Sequence, residues 1–190
     1  MEIELAEHYG FCFGVKRAIE IAENSKNAST IGPLIHNNKE ISRLKTDYNV
    51  ETLDDINDVK SIKKAIIRTH GIPKGDLNFL KKNGINVVDA TCPFVTKPQQ
   101  ICEKMSDKGY DIVIFGDKDH PEVKGVMSYA KKDVSVVLKA SELKNKTFSN
   151  KIAVVSQTTR KIDEFMDIVN YLIVNHKEVR VFNTICNATF

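Results

Sequence analysis

The chain has 190 residues, 42% of them apolar and 28% charged, and a net charge of +3. That length supports one large domain or two small ones with real cores, and the composition excludes a disordered chain. The balanced charge argues against a polybasic nucleic-acid or membrane surface, no apolar run nears the length of a bilayer span, and the N-terminus shows no basic-then-apolar leader; a cytoplasmic protein with no nucleic-acid or membrane partner is expected.

In chain order, short apolar strands alternate with segments of helical period. A strand at 3–5 leads to Gly10-Phe11-Cys12-Phe13-Gly14 and a helix over 15–23. A strand at 28–31 runs through Gly32-Pro33-Leu34-Ile35-His36 into a helix over 39–45. A strand at 65–68 reaches His70 and a helix over 76–82. The strand at 87–89 ends in Ala90-Thr91-Cys92-Pro93, with Pro93 suited to the first turn of a helix. Pro98 falls inside that helix and should kink it or shift its start. A strand at 111–115 passes through residues 116–120 to a helix over 121–130. Strands at 134–138 and 152–155 follow, the second reaching Ser156-Gln157-Thr158-Thr159. A helix over 160–175 sets Ile162, Phe165, Met166, Val169, Leu172 and Ile173 on one face. The last strand, 179–182, leads to Asn183-Thr184-Ile185-Cys186. This alternation predicts an α/β fold of repeated small units with mostly parallel, buried strands, and ligands at the strands' carboxyl ends.

Three cysteines, Cys12, Cys92 and Cys186, share one setting, a turn at a strand end or helix start. A thiolate there is favoured by the helix dipole and free N–H groups, so its pKa is expected to fall. The three lie 80 and 94 residues apart, unlike the close pairs of a zinc ribbon or compact ferredoxin run. Three thiolates from distant loops would bind a soft metal centre and leave a position open for substrate. The plainer alternative is three buried cysteines acting as small hydrophobes. Cys102 sits within a helical pattern and reads as packing rather than as a ligand.

His36, His70 and His120 occupy corresponding turns, and imidazoles beside helix N-termini suit an anion such as a diphosphate. Glu122 either compensates a helix dipole or serves as a proton-relaying carboxyl beside the metal pocket. Thr159 reads as a helix cap, while Thr158 is free to cap or to bond a substrate hydroxyl. His8 and His176 have no comparable context.

Six segments together resemble the 4-hydroxy-3-methylbut-2-enyl diphosphate reductase family, whose members complete the methylerythritol phosphate route to isoprenoids. They are residues 10–15, Arg68-Thr69-His70-Gly71, Asp89-Ala90-Thr91-Cys92-Pro93, His120-Pro121-Glu122, Ser156-Gln157-Thr158-Thr159 and residues 183–189. Each is weak alone; six in order are specific.

The resemblance implies a [4Fe–4S] cluster held by Cys12, Cys92 and Cys186, with one iron lacking a protein ligand. It implies that His36, His70, His120 and Thr158 bind an allylic diphosphate, and that Glu122, His120 and Thr158 act in catalysis. The reaction would be reductive loss of the substrate hydroxyl, giving isopentenyl and dimethylallyl diphosphates, with ferredoxin or flavodoxin as electron donor. The family's units are arranged around a pseudo-threefold axis. Residues 1–13 would form an N-terminal strand and the first cluster loop, 14–92 and 93–183 two αβα units, and 184–190 the start of a third unit not contained in this chain. In the family that third unit carries a Ser-x-Asn motif and a further Ser for the diphosphate. A cluster-binding or redox-sensing module, a zinc protein with a three-cysteine site, and an inactive fragment are the alternatives.

Overall fold

A computed structural model describes residues 3–5, 7 and 9–189. The elements run α1 (Phe13–Asn24), β1 (Ala28–Ile31), α2 (Asn38–Tyr48), β2 (Val50–Leu53), a 3₁₀ turn (Ile56–Ser61), β3 (Lys64–Ile67), α3 (Lys74–Lys82) and β4 (Asn86–Asp89). The same order then repeats: α4 (Pro93–Asp107), β5 (Asp111–Phe115), α5 (Pro121–Met127), β6 (Val134–Val137), a 3₁₀ turn (Ala140–Leu143), β7 (Lys151–Ser156), α6 (Ile162–Asn175) and β8 (Glu178–Phe182). A short 3₁₀ turn, Asn187–Thr189, follows.

Each half forms a four-stranded sheet, ordered β2-β1-β3-β4 and β6-β5-β7-β8. Every strand pair is parallel. Parallel strands need crossover helices, which cover both faces, so the central strands are apolar on both sides. β5 shows this: Val113 and Phe115 pack with Phe165, Ile168 and Leu172 of α6, while Ile112 and Ile114 pack with Cys102 and Met105 of α4 and Val123 of α5. In the first sheet Ile66 joins Ala18, Ala22 and Leu44, and Ile67 joins Leu80 on the other face.

The α/β expectation therefore holds, with differences in detail. Residues 3–5, expected as a strand, are in no regular element, and Ile3 and Leu5 are each 74% exposed. Isolated apolar residues carry no strand without a partner edge. β2 escapes the sequence reading because it is an edge strand with one fully buried residue, Val50, and gives no continuous apolar run. Pro98 does not shift the start of α4, which begins at Pro93 and continues through Pro98, itself buried. In α6 the inner face is Phe165, Ile168, Val169 and Leu172; Met166 and Ile173, expected on it, are 44% and 55% exposed.

Candidate active site

The strand carboxyl ends and the helix starts that follow them form the site. Cys12 directly precedes α1, Cys92 precedes α4 and Cys186 precedes the turn Asn187–Thr189. All three line one cavity of about 270 Å³, together with Gly14, Thr69, His70, Glu122 and Thr158. Equivalent backbone bonds tie two of them in place. Cys92 N–H donates to the Thr69 carbonyl at 3.0 Å and Cys186 N–H to the Thr158 carbonyl at 2.8 Å. Thr69 and Thr158 each stand two residues beyond the third strand of their sheet.

The Cys186 turn has a second anchor. Thr184 Oγ1 donates to the Ser156 carbonyl and accepts from Ser156 N–H at 2.9 Å, all of it buried. At Cys92 the helix N–H groups of Phe94 and Val95 favour the thiolate, as expected, but burial outweighs them and pushes the thiol up; Cys186 and Cys12 add to the rise. Cys102 lies fully buried in an apolar cluster, its thiol pushed up to about 12 by burial, away from this cavity.

The donor set fits an iron–sulfur group. Three thiols from three loops border a common space, and Gly14 leaves room beside one of them: a Cβ there would sit 2.5 Å from Cys92 Sγ. Among the described residues, no three His, Cys, Asp or Glu side chains close on a point as one metal ion requires.

Glu122 and Thr158 form the second part of the site. Glu122 is 1% exposed. Its Oε1 accepts from Thr158 N–H and its Oε2 meets Thr158 Oγ1, both at 2.7 Å. Burial raises the carboxyl's pKa, and the two Thr158 bonds oppose that rise. The carboxyl thus turns inward to the site instead of merely facing the α5 dipole. Thr159 does not cap a helix: α6 begins after Lys161, which makes no side-chain cap bond, and Thr159 Oγ1 accepts from Gln157 Nε2 at 3.1 Å.

The three histidines form a row. His36 and His70 ring centroids are 4.9 Å apart, and His70 and His120 are 5.4 Å apart, edge to face. Thr69 holds the first two together, donating from N–H and Oγ1 to the Leu34 carbonyl at 3.3 and 3.1 Å. Gln157 holds the third: its Oε1 accepts from Asp117 N–H at 3.0 Å, fixing the turn that ends at His120. His120 Nδ1 accepts from Glu122 N–H at 3.2 Å, which assigns the proton of the neutral ring to Nε2. His70 is pushed down to about 4, first by burial, then by His36, His120 and Arg68. His120 is lowered chiefly by burial. His70 Nδ1 is buried without a partner.

The site residues expected from sequence lie near the strand-end rim, though His36 is exposed and neither His36 nor His120 lines the cavity. His176 instead packs edge-on to Phe148, and His8 lies outside the described residues. Sequence reasoning missed Gln157, Thr184 and Gly14. They lie inside the recognised motifs, but their partners are 40, 28 and 78 residues away, beyond the reach of local pattern.

The model of the family described as "LytB protein" matches residues 3–190. The chain is 70% identical over 190 residues to the 4-hydroxy-3-methylbut-2-enyl diphosphate reductase of Campylobacter concisus, covering all of this chain and 69% of that protein. Identity to the same-named protein of Campylobacter fetus is 68% over 189 residues, covering 68% of it. A solved structure of (E)-4-hydroxy-3-methyl-but-2-enyl diphosphate reductase superimposes with a TM-score of 0.86 at 38% identity, over 98% of this chain and 68% of the other. The Plasmodium falciparum E-1-hydroxy-2-methyl-but-2-enyl-4-diphosphate reductase gives 0.87 at 29% identity, over 95% and 59%.

Proposed function

The chain belongs to the LytB family, and on that footing we propose that it is an oxidoreductase catalysing reductive dehydroxylation of 4-hydroxy-3-methylbut-2-enyl diphosphate. The substrate takes up two electrons and two protons, loses its hydroxyl as water, and yields isopentenyl or dimethylallyl diphosphate. The observation that carries this reading is the meeting of Cys12, Cys92 and Cys186 with Glu122 and Thr158 around one cavity. A redox-sensing module would need the cysteines but not the buried carboxyl–hydroxyl pair.

Cys12, Cys92 and Cys186 would hold a [4Fe–4S] cluster with one iron lacking a protein ligand. When bound, that group supplies the electrons and a Lewis-acidic site for the leaving oxygen. The chain's own residues do the rest. His36, His70 and His120 bind the diphosphate end, the last through Nε2–H. Glu122, with its raised pKa, keeps a proton at higher pH than an ordinary carboxyl. Protonated at Oε2, it donates to Thr158 Oγ1, the hydroxyl that links the carboxyl to the substrate end of the cavity. Glu122 and Thr158 are themselves buried, which limits competition from water for that proton. Ferredoxin or flavodoxin is the electron donor in this reading, and the cytoplasm its compartment. No described helix is long and apolar enough to cross a membrane. We take residues 1–13 as the first cluster loop, 14–92 and 93–183 as the repeat units, and 184–190 as the segment that brings in Cys186.

Anaerobic reconstitution with iron and sulfide, followed by visible absorbance and iron counting, tests the ligand set. About four irons per chain are expected. The Cys102→Ser variant should load equally, because Cys102 is buried in an apolar cluster. Loss of absorbance in that variant, with full loading of Cys186→Ser, would show that the ligands are otherwise assigned.

A further inference from the structure

Arg68 stands at the same rim as the histidine row and has no role in the chemistry above. It follows β3 and precedes Thr69 and His70. Its guanidinium lies on Gly32, the residue after β1 in the loop that carries His36. A Cβ at Gly32 would come within 2.6 Å of Arg68 Nη1, and Gly32 has a φ of +70°. A side chain at position 32 would therefore displace the guanidinium and strain the backbone at once.

No carboxylate among the described residues forms an ion pair with Arg68; its hydrogen bond is a long one, 3.5 Å, from Nε to the Gly71 carbonyl. Burial lowers its pKa, the signature of a charge deprived of water without an anion in exchange. Its field acts on both His70 and His120. His70 Nδ1, two residues further along the chain, is buried and has no hydrogen-bond partner. Arg160, the other arginine whose field reaches His120, lies over the Phe115 ring and shares a separate cavity with Glu164 and Asp167. Its Nε is buried without a hydrogen-bond partner, turned to the Phe115 side rather than to the histidine row.

We infer that Arg68 is an anion-binding residue of this site, its guanidinium, seated on Gly32 and paired with no carboxylate, supplying a permanent positive charge at the diphosphate end of the substrate. This rests on the reading of the histidine row as the diphosphate site. The guanidinium matches phosphate oxygens in geometry and stays charged at any working pH, whereas neutral imidazoles offer hydrogen bonds without net charge. Its contribution should therefore be the salt-sensitive part of binding.

Titration calorimetry of the chain with inorganic diphosphate, at about 50 mM and about 300 mM salt, tests it. Wild type should bind more tightly at low salt. Arg68→Met should bind roughly tenfold more weakly at low salt and show a flatter salt dependence, and Arg68→Lys should recover most of both. His70→Asn should weaken binding at both salt concentrations. If Arg68→Met matches wild type while His70→Asn does not, Arg68 is excluded and the histidine site stands. If Arg68→Lys is as impaired as Arg68→Met at both salts, the side chain acts by packing and the inference falls. If wild type does not bind, or if neither variant alters binding, the diphosphate site itself is misplaced and both readings fall.

Discussion

Glu122 offers both carboxyl oxygens to a single residue, Thr158, 36 positions later in the chain. As a carboxylate it accepts twice; as an acid it gives its Oε2 proton to the hydroxyl. Either state is satisfied, so the proton can move without leaving a buried group unpaired. Glu122→Gln keeps the shape and removes the proton. Turnover of the reconstituted enzyme should fall at least a hundredfold, within the range typical of losing a general acid, while iron content and visible spectrum are unchanged. Unaltered turnover would remove Glu122 from the chemistry.

The elements meet at this site through loops that brace one another. β7 and β8 are joined past their last ladder pair by Thr184, whose hydroxyl serves both polar groups of Ser156. Thr184→Val preserves volume but leaves a buried N–H and carbonyl unserved, at a cost of about 2–3 kcal/mol. Urea unfolding should show that loss as a lower midpoint with unchanged slope. Because Cys186 hangs from the next residues and from Thr158, the variant, once reconstituted with iron and sulfide, should also lose iron faster under a chelator if the proposed cluster site is right. A midpoint equal to wild type would mean that the turn is held elsewhere.

At the scale of the molecule, folding draws His70 and His120 out of water as neutral groups. The native pKa of His70, about 4, lies below the ordinary value of 6.5, and His120 shifts the same way. Between those limits the unfolded chain binds more protons than the folded one. Stability is therefore fully present above about pH 6.5 and declines as pH falls toward 4, by about 3 kcal/mol from His70. Chemical unfolding across that range should show the slope, and His70→Asn should flatten it. An unchanged slope in the variant would assign the effect to other groups.

The α/β class, the helix starts at Cys12 and Cys92, and the gathering of cysteines and histidines at strand ends follow from sequence alone, because period and turn chemistry are local properties. Pro93 marks the start of α4 without any tertiary help. Edge strand β2 and the inner face of α6 are less legible, since what counts as buried depends on which strands become neighbours. Packing also decides the thiol of Cys92: its helix start favours the thiolate, and burial reverses the balance. The Glu122–Thr158 pair, the Gln157 brace and the seat of Arg68 on Gly32 join residues 36 to 40 positions apart. Only the strand order, first strand beside third in each sheet, sets their loops side by side. The sequence carries the chemistry of each side chain; which group meets which is a matter of long-range packing, where burial and hydrogen bonding are decided.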